Sequence, residues 1–235
     1  MTSLLRFTER THPQELRIEM IGLKHKFLFM HLPKTAGNSI QNILRQYSED
    51  EIFVGKAKQD GVERFGVKSK FGTKKHSRLF EYKKLLDPET YNGLFKFTIV
   101  RNPWDRIVSR YSFKNMEKEV HNKADFAAIE EAPFDRDEFI KTILSTPTLE
   151  SFLLENPPDG GLDFLRDTDL DYVIRFENLQ NDFDIACSRI GLPKALLPVR
   201  NRSKHKDYRT YYDAETRELV YRQHRNEIDY FGYEC

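Results

Sequence analysis

The sequence predicts an α/β fold, a mainly parallel sheet flanked by helices, and two observations carry that expectation. Twice, an apolar run of strand length passes through a tight turn into a segment with apolar residues at helical spacing, and a third such run begins near residue 171. The 235 residues, 39% of them hydrophobic, supply apolar mass for one sizeable core, with no repeat, low-complexity tract or linker to divide it, so a single domain over residues 1–235 is expected.

Lys26 to Leu32 (KFLFMHL) is the first strand, Pro33 and Gly37 mark the turn, and Ser39 to Tyr47 carries Ile40, Ile43 and Leu44 at helical spacing. Gly55 to Lys75, charged and glycine-containing, reads as a long loop or hairpin, and a helical pattern resumes over Ser77 to Leu86. The second unit is the strand Phe95 to Val100 (FKFTIV), the turn Arg101-Asn102-Pro103, and a helix from Trp104 to Phe113 with Trp104, Ile107, Val108 and Tyr111 on one face. Asp171 to Arg175 (DYVIR) is a third strand, followed by an amphipathic helix from Asn178 to Ile190 that Gly191 terminates. Arg200 to Arg209 is a basic loop and Ala214 to Arg225 a final helix. In parallel α/β sheets ligands sit beyond the carboxyl ends of the strands, and both turns lie at that edge.

Charge narrows the partners. With 38 Lys and Arg against 37 Asp and Glu the formal net charge is +1, which disfavours broad electrostatic attachment to nucleic acid or membrane. The longest apolar stretches, Phe27 to Met30 and Leu94 to Val100, fall far short of the roughly 20 residues that span a bilayer, so no integral membrane anchor is expected. Met1 to Arg10 lacks the apolar run of a secretory signal. The two cysteines, Cys187 and Cys235, form neither a disulfide framework nor a zinc spacing, and a reducing, cytoplasmic compartment is the natural expectation. None of the seven histidines falls into a metal-ligand spacing. Oligomeric state is not written in any of these patterns.

The first turn reads His31-Leu32-Pro33-Lys34-Thr35-Ala36-Gly37-Asn38-Ser39. Small residues let backbone N–H groups approach an anion, the following helix adds its positive end, and Lys34 adds a full charge, which together make a phosphate cradle. The NTPase pattern G-x-x-x-x-G-K-[ST] is absent, because the lysine precedes the glycine. A plain strand-to-helix turn capped at Asn38 or Ser39 accounts for the same residues. The second turn places Arg101 at a strand end and Ser109 about two helical turns on, so that a guanidinium fork and a hydroxyl can share one phosphate dianion, with Arg106 and Arg110 as further donors. The alternative there is an arginine that caps carbonyls or pairs with Asp105. Two anion-suited turns in one α/β chain favour the phosphate reading.

PKTAGNS after an apolar strand, followed by VRNPWDRIVSRY, resembles the paired signatures of the sulfotransferases that use 3′-phosphoadenosine 5′-phosphosulfate (PAPS). The chain is most similar to the branch containing carbohydrate sulfotransferases and many bacterial members. Lys75-His76-Ser77, Arg175 to Leu179, Asn201 to Ser203 and Asp229 to Tyr233 are similar to further elements of that branch, while Gly55 to Thr73 and Asn115 to Asn156 match least. The resemblance implies a P-loop-like sheet of sulfotransferase type and a nucleotide held across both turns. Lys34, Thr35, Ala36, Gly37, Asn38 and Ser39 would hold the 5′-phosphosulfate, and Arg101 and Ser109 the 3′-phosphate. One departure is Ala36-Gly37-Asn38, where many relatives have Gly-Gly-Thr or Ala-Gly-Thr; Asn38 can still donate a hydrogen bond.

The activity so implied is in-line sulfuryl transfer from PAPS to an acceptor hydroxyl, of a carbohydrate or a small molecule, leaving 3′,5′-ADP and needing no metal. Lys34 would meet the charge on the leaving oxygen. His76, among Lys74, Lys75 and Arg78 whose charges favour neutral imidazole, is the leading general base. His31 would buttress the turn or act as base itself, and His205 would cover the nucleotide or face solvent. His12, His25, His121 and His224 are given no role. Glu177 and Asn178 would order the site, although a helix cap accounts for Asn178 alone. Two rivals stay open: a P-loop-like kinase, which would want carboxylates for Mg²⁺, and a PAPS-binding module without catalysis.

Overall fold

The structure is a computed structural model and describes residues 20–49, 51–55, 64–68, 77–122, 133–158, 160–198 and 205–235. In chain order the elements are β1 (Met20–Gly22), β2 (Phe27–Met30), α1 (Gly37–Leu44), β3 (Glu51–Gly55), β4 (Arg64–Lys68), α2 (Leu79–Leu85), α3 (Pro88–Gly93) and β5 (Phe95–Val100). They continue with α4 (Pro103–Asn122), α5 (Arg136–Leu144), α6 (Leu149–Leu153), β6 (Tyr172–Arg175), α7 (Leu179–Arg189) and α8 (Ala214–Phe231).

Four strands form one sheet in the order β1-β2-β5-β6, and β3 pairs with β4 in a separate antiparallel hairpin. β2 runs parallel to β5 and β5 parallel to β6, while β1 folds back antiparallel on β2 through residues 23–26. The sheet is thus α/β and mainly parallel, as expected, with an antiparallel edge strand that the sequence did not announce. The hairpin was the second option for the charged stretch, and it begins earlier, at Glu51.

Burial on both faces explains why the strands are continuous apolar runs rather than alternating ones. Phe27 and Phe29 pack with Phe97, Ile99, Ile174 and the inner sides of α1 and α7. Leu28 and Met30 point the other way, into a larger core with Trp104, Ile107 and Val108 of α4, Phe139 and Ile143 of α5, and Val220 and Ile228 of α8. Lys96 interrupts the β5 run yet is buried, because its ammonium donates to the carbonyl of Leu94 at 2.7 Å and lies 3.4 Å from Asp171.

One ionic cluster ties the helices of the larger core. Arg106 on α4 is enclosed and donates through Nη2 to the carbonyl of Pro147 at 3.1 Å and to Glu227 Oε1 at 3.2 Å, beside His224 Nδ1 at 3.3 Å. The amide of Leu149, the first residue of α6, donates to the same Glu227 oxygen at 2.5 Å. Burial alone would raise the Glu227 carboxyl, but the Arg106 charge with the His224 and Leu149 bonds holds it below the usual range. Burial pushes His224 below an ordinary histidine and Glu150 above an ordinary glutamate, the Glu227 charge adding to the latter. α8 bends here, with His224 at φ −112° and ψ 20°, outside helical values. Among the described residues no helix is long and apolar enough to cross a membrane.

Candidate functional site

The first turn is shaped by its backbone. After β2 the chain passes His31 and Leu32 into residues 33–36, where Lys34 has φ 68° and Ala36 φ 66°. This left-handed region costs a residue with a Cβ about 1–2 kcal/mol and persists only where the surroundings impose it. Two bonds do so: Thr35 Oγ1 donates to the Leu32 carbonyl at 2.7 Å, and the Ser39 amide to the Ala36 carbonyl at 2.9 Å. α1 opens with no side-chain cap, since Ala36 has nothing to accept with, which corrects the expectation of a cap at Asn38 or Ser39. An uncapped helix start leaves its positive end for a ligand. A Cβ on Gly37 would lie 2.0 Å from the His31 ring, so only glycine lets that imidazole pack under the turn. His31 is nearly enclosed and stacks on Phe29 at 6.4 Å between ring centres.

The second turn is shaped by side chains. Arg101, just past β5 and 8% exposed, donates through Nε to Asp105 Oδ2 at 2.7 Å, and its Nη2 lies 2.7 Å from the same oxygen. Its Nη1 donates to the Lys34 carbonyl at 3.2 Å, and its guanidinium lies 4.2 Å from the Phe176 ring centre. The Asn102 amide donates to Glu177 Oε1 at 2.8 Å, and Asn102 Nδ2 to the Glu234 carbonyl at 2.7 Å. Asn102 Oδ1 accepts from the Trp104 amide at 3.1 Å, capping the start of α4. His205 Nε2 is 4.0 Å from Asp105 Oδ1, which brings the end of the basic loop beside this turn.

Asp105, Ser109 and Phe113 recur at four-residue spacing and so share one stripe of α4. Contacts to Lys34 occur at both ends of that stripe: Arg101, paired with Asp105, reaches its carbonyl, and its ammonium lies 3.9 Å from the Phe113 ring centre. Ser109, buried, falls between them. Lys34, Thr35, Ala36, Gly37, Asn38, Ser39, Arg101 and Ser109 therefore gather at the carboxyl edge of the adjacent strands β2 and β5.

The sequence profile of the Sulfotransferase family matches residues 20–152, more than half of the chain, and the match includes both turns and the helices they start. The chain belongs to the sulfotransferase family. No curated protein and no solved structure matches it. Membership implies sulfuryl transfer, from a sulfate donor such as PAPS to a hydroxyl acceptor.

In this sulfotransferase several expectations shift. Arg106, by its sequence position a further anion donor, points into the core cluster and serves α4, α6 and α8 instead. Arg110 is half-buried, and burial followed by the Arg106 charge lowers its pKa. His224, given no role, is a member of that cluster. Asn178 does not cap α7; its Nδ2 donates to Asp182 Oδ1 at 2.7 Å. Glu177 reaches the second turn from beyond β6 and holds the Asn102 amide. His76 and residues 199–204, which include the first half of the basic loop, lie outside the described residues. Among the described residues no group of His, Cys, Asp and Glu is set to hold a metal ion. Phe113 and Phe176, which contact Lys34 and Arg101, carry little sequence signal, because an aromatic in an amphipathic pattern looks like core; Phe113 does fall four residues after Ser109.

Proposed function

We propose that this sulfotransferase transfers the sulfuryl group from PAPS to an acceptor hydroxyl, with the nucleotide spanning both turns. The observation that carries the reading is the bond from Arg101 Nη1 to the Lys34 carbonyl, 3.2 Å long. It joins a lysine-bearing turn with a left-handed backbone and an uncapped helix start, suited to a 5′-phosphosulfate, to an arginine and a buried serine suited to a 3′-phosphate. Arg101 has five N–H donors, so it keeps two for a ligand beyond those directed at Asp105 and Lys34.

In this reading Lys34 and the backbone of Thr35 to Ser39 hold the phosphosulfate, and Arg101 and Ser109 hold the 3′-phosphate. The acceptor oxygen forms a bond to sulfur as the bond from sulfur to the phosphate oxygen breaks, and 3′,5′-ADP departs. Lys34 meets the negative charge that builds on that oxygen, where a preplaced cation lowers the barrier most. The acceptor proton passes to His76, which directly precedes Ser77, where the described chain resumes ahead of α2. The similarity to carbohydrate sulfotransferases favours a sugar hydroxyl. We also read the chain as one cytoplasmic domain: α8, beyond the matched residues, shares a core with α4, and Cys187 and Cys235 are both free thiols.

Turnover of labelled PAPS against a panel of sugar and small-molecule hydroxyls tests this, with ATP as the control donor. The reading expects label on an acceptor, release of 3′,5′-ADP and no reaction of ATP. Binding of PAPS with no transfer would leave a non-catalytic module, and use of ATP would leave a kinase. His76→Ala should cut transfer by about 10²–10⁴-fold with 3′,5′-ADP affinity unchanged. If His31→Ala does that instead, the base has been misassigned.

A further inference from the structure

Lys34 is held at both of its ends, from the turn after β5 and from α4. Its carbonyl accepts from Arg101, and its ammonium sits 3.9 Å from the centre of the Phe113 ring. A lysine side chain has four rotatable carbon bonds and loses much rotamer freedom when fixed, so a lysine that must meet charge at one atom benefits from a second hold near its tip. The backbone of Lys34 is already fixed in the left-handed region. The direction of the side chain is a separate matter, and the ring contact bears on it.

A ring face suits that task. The quadrupole of phenylalanine attracts an ammonium without neutralising it, and the ring takes none of the three N–H donors in a conventional hydrogen bond. A carboxylate in the same place would fix the lysine more firmly, but it would repel a phosphosulfate and offset the charge the site needs. Phe113 also lies on the α4 stripe that carries Asp105 and Ser109, one turn beyond the serine, so one rigid helix sets the distance from the 3′-phosphate residues to the ammonium.

We propose that Phe113 is a positioning residue for the Lys34 ammonium, its ring face holding the cation at the head of the turn so that the charge is in place when the leaving oxygen becomes anionic. The proposal rests on the reading of Lys34 given above. Phe113 touches no reacting atom and acts only through the lysine. Because the cation is preplaced for the transition state, loss of the ring should lower kcat more than it weakens donor binding.

The experiment is a ring-fluorination series at position 113, with mono-, di- and trifluorophenylalanine, alongside Phe113→Leu and Phe113→Trp. Fluorines drain the ring face while nearly preserving its shape, so folding and packing are held constant as the attraction weakens. The logarithm of kcat should fall in step with the number of fluorines, Phe113→Leu should lose about tenfold, and Phe113→Trp should keep or exceed the wild-type rate, with KM for PAPS nearly constant throughout. In the ligand-free protein the Lys34 ε-methylene protons should resonate upfield through the ring current, and Phe113→Leu should abolish that shift.

A flat fluorine series in an active enzyme, or no upfield shift, would overturn the role of Phe113 and leave the reading of the site standing. Loss of rate in Phe113→Leu alone, with the fluorinated proteins at wild-type rate, would mark a packing residue and also overturn it. A wild-type protein that transfers no sulfuryl group to any acceptor would sink the reading of the site itself, and the task assigned to Lys34 with it.

Discussion

The turn after β2 keeps its shape through the backbone, with Lys34 and Ala36 at φ 68° and 66° and two short-range bonds within the segment, whereas the turn after β5 is held by side chains and carbonyls, one from the next helical turn and the others from distant parts of the chain. Asp105 takes the Arg101 fork, Glu177 the Asn102 amide, and the Glu234 carbonyl the Asn102 side chain. Behind them the Arg106 cluster fixes α4 against α6 and α8. If the first turn presents N–H groups to an anion, as proposed, it cannot also fill itself with carboxylates, and its geometry is stored in φ angles and in a ring packed under a glycine. If the second turn aims one guanidinium at a phosphate, as proposed, it needs firm partners on the other sides of it. The difference predicts where each turn will break.

The largest effect should come from the side-chain wiring. Arg106→Ala leaves Glu227 enclosed and without its cation, a change that costs about 3–5 kcal/mol when a buried pair loses one partner. Urea unfolding should register that loss, and a midpoint near wild type would show that the cluster does not hold α4. Gly37→Ala should rank second. Its Cβ would meet the His31 ring at 2.0 Å, and displacing a packed ring costs about 1–3 kcal/mol, with loss of 3′,5′-ADP affinity as the turn reshapes. Full affinity in that variant would mean that the backbone of the first turn is not the binding element.

Ala36→Gly should act in the opposite direction. Glycine takes φ 66° without penalty, so the variant should be neutral or more stable by up to about 1 kcal/mol, read from the same unfolding curves, with nucleotide affinity kept. A clear loss of stability would show that the left-handed backbone is not a strained one. The smallest effect is one of pH. Burial, with the Arg106 charge adding to it, holds His224 below its ordinary value of 6.5, although Glu227 opposes the shift. The unfolded chain therefore takes up this proton first, and the contribution of neutral His224 to stability, complete above 6.5, declines as pH falls towards the lower folded value. His224→Gln should flatten the slope of unfolding free energy between pH 7 and pH 5.5; an unchanged slope would exclude His224 as its source.

The parts legible in the sequence were those written in local pattern. β2, β5 and β6 are apolar runs because both faces of the sheet are covered, and α1 and α4 follow their turns at helical spacing. β1 escaped because Met20–Gly22 is three residues long and becomes a strand only by pairing with β2. α3 left a readable signal in Asp87 and Pro88, a capping residue and a first-turn proline, in a segment too short to show a period. α8 runs on to Phe231 because the bend at His224 shifts the apolar face, which breaks the pattern near Arg225 without ending the helix. In the site, residue type announced Lys34, Gly37 and Arg101. Nothing in lysine or alanine announces a left-handed φ, and Glu177 becomes relevant only once the sheet order puts β6 beside β5.

The central claim is that one nucleotide spans the two turns, and calorimetric titration with 3′,5′-ADP and with 5′-AMP addresses it most directly. Both ligands offer a 5′-phosphate to the first turn, but only 3′,5′-ADP offers a 3′-phosphate to Arg101 and Ser109. The account predicts clearly tighter binding of 3′,5′-ADP, by about tenfold or more if the charge-assisted bonds contribute about 1.5–3 kcal/mol, and loss of the preference in Arg101→Ala. Equal affinities for the two nucleotides in the wild-type protein would contradict it.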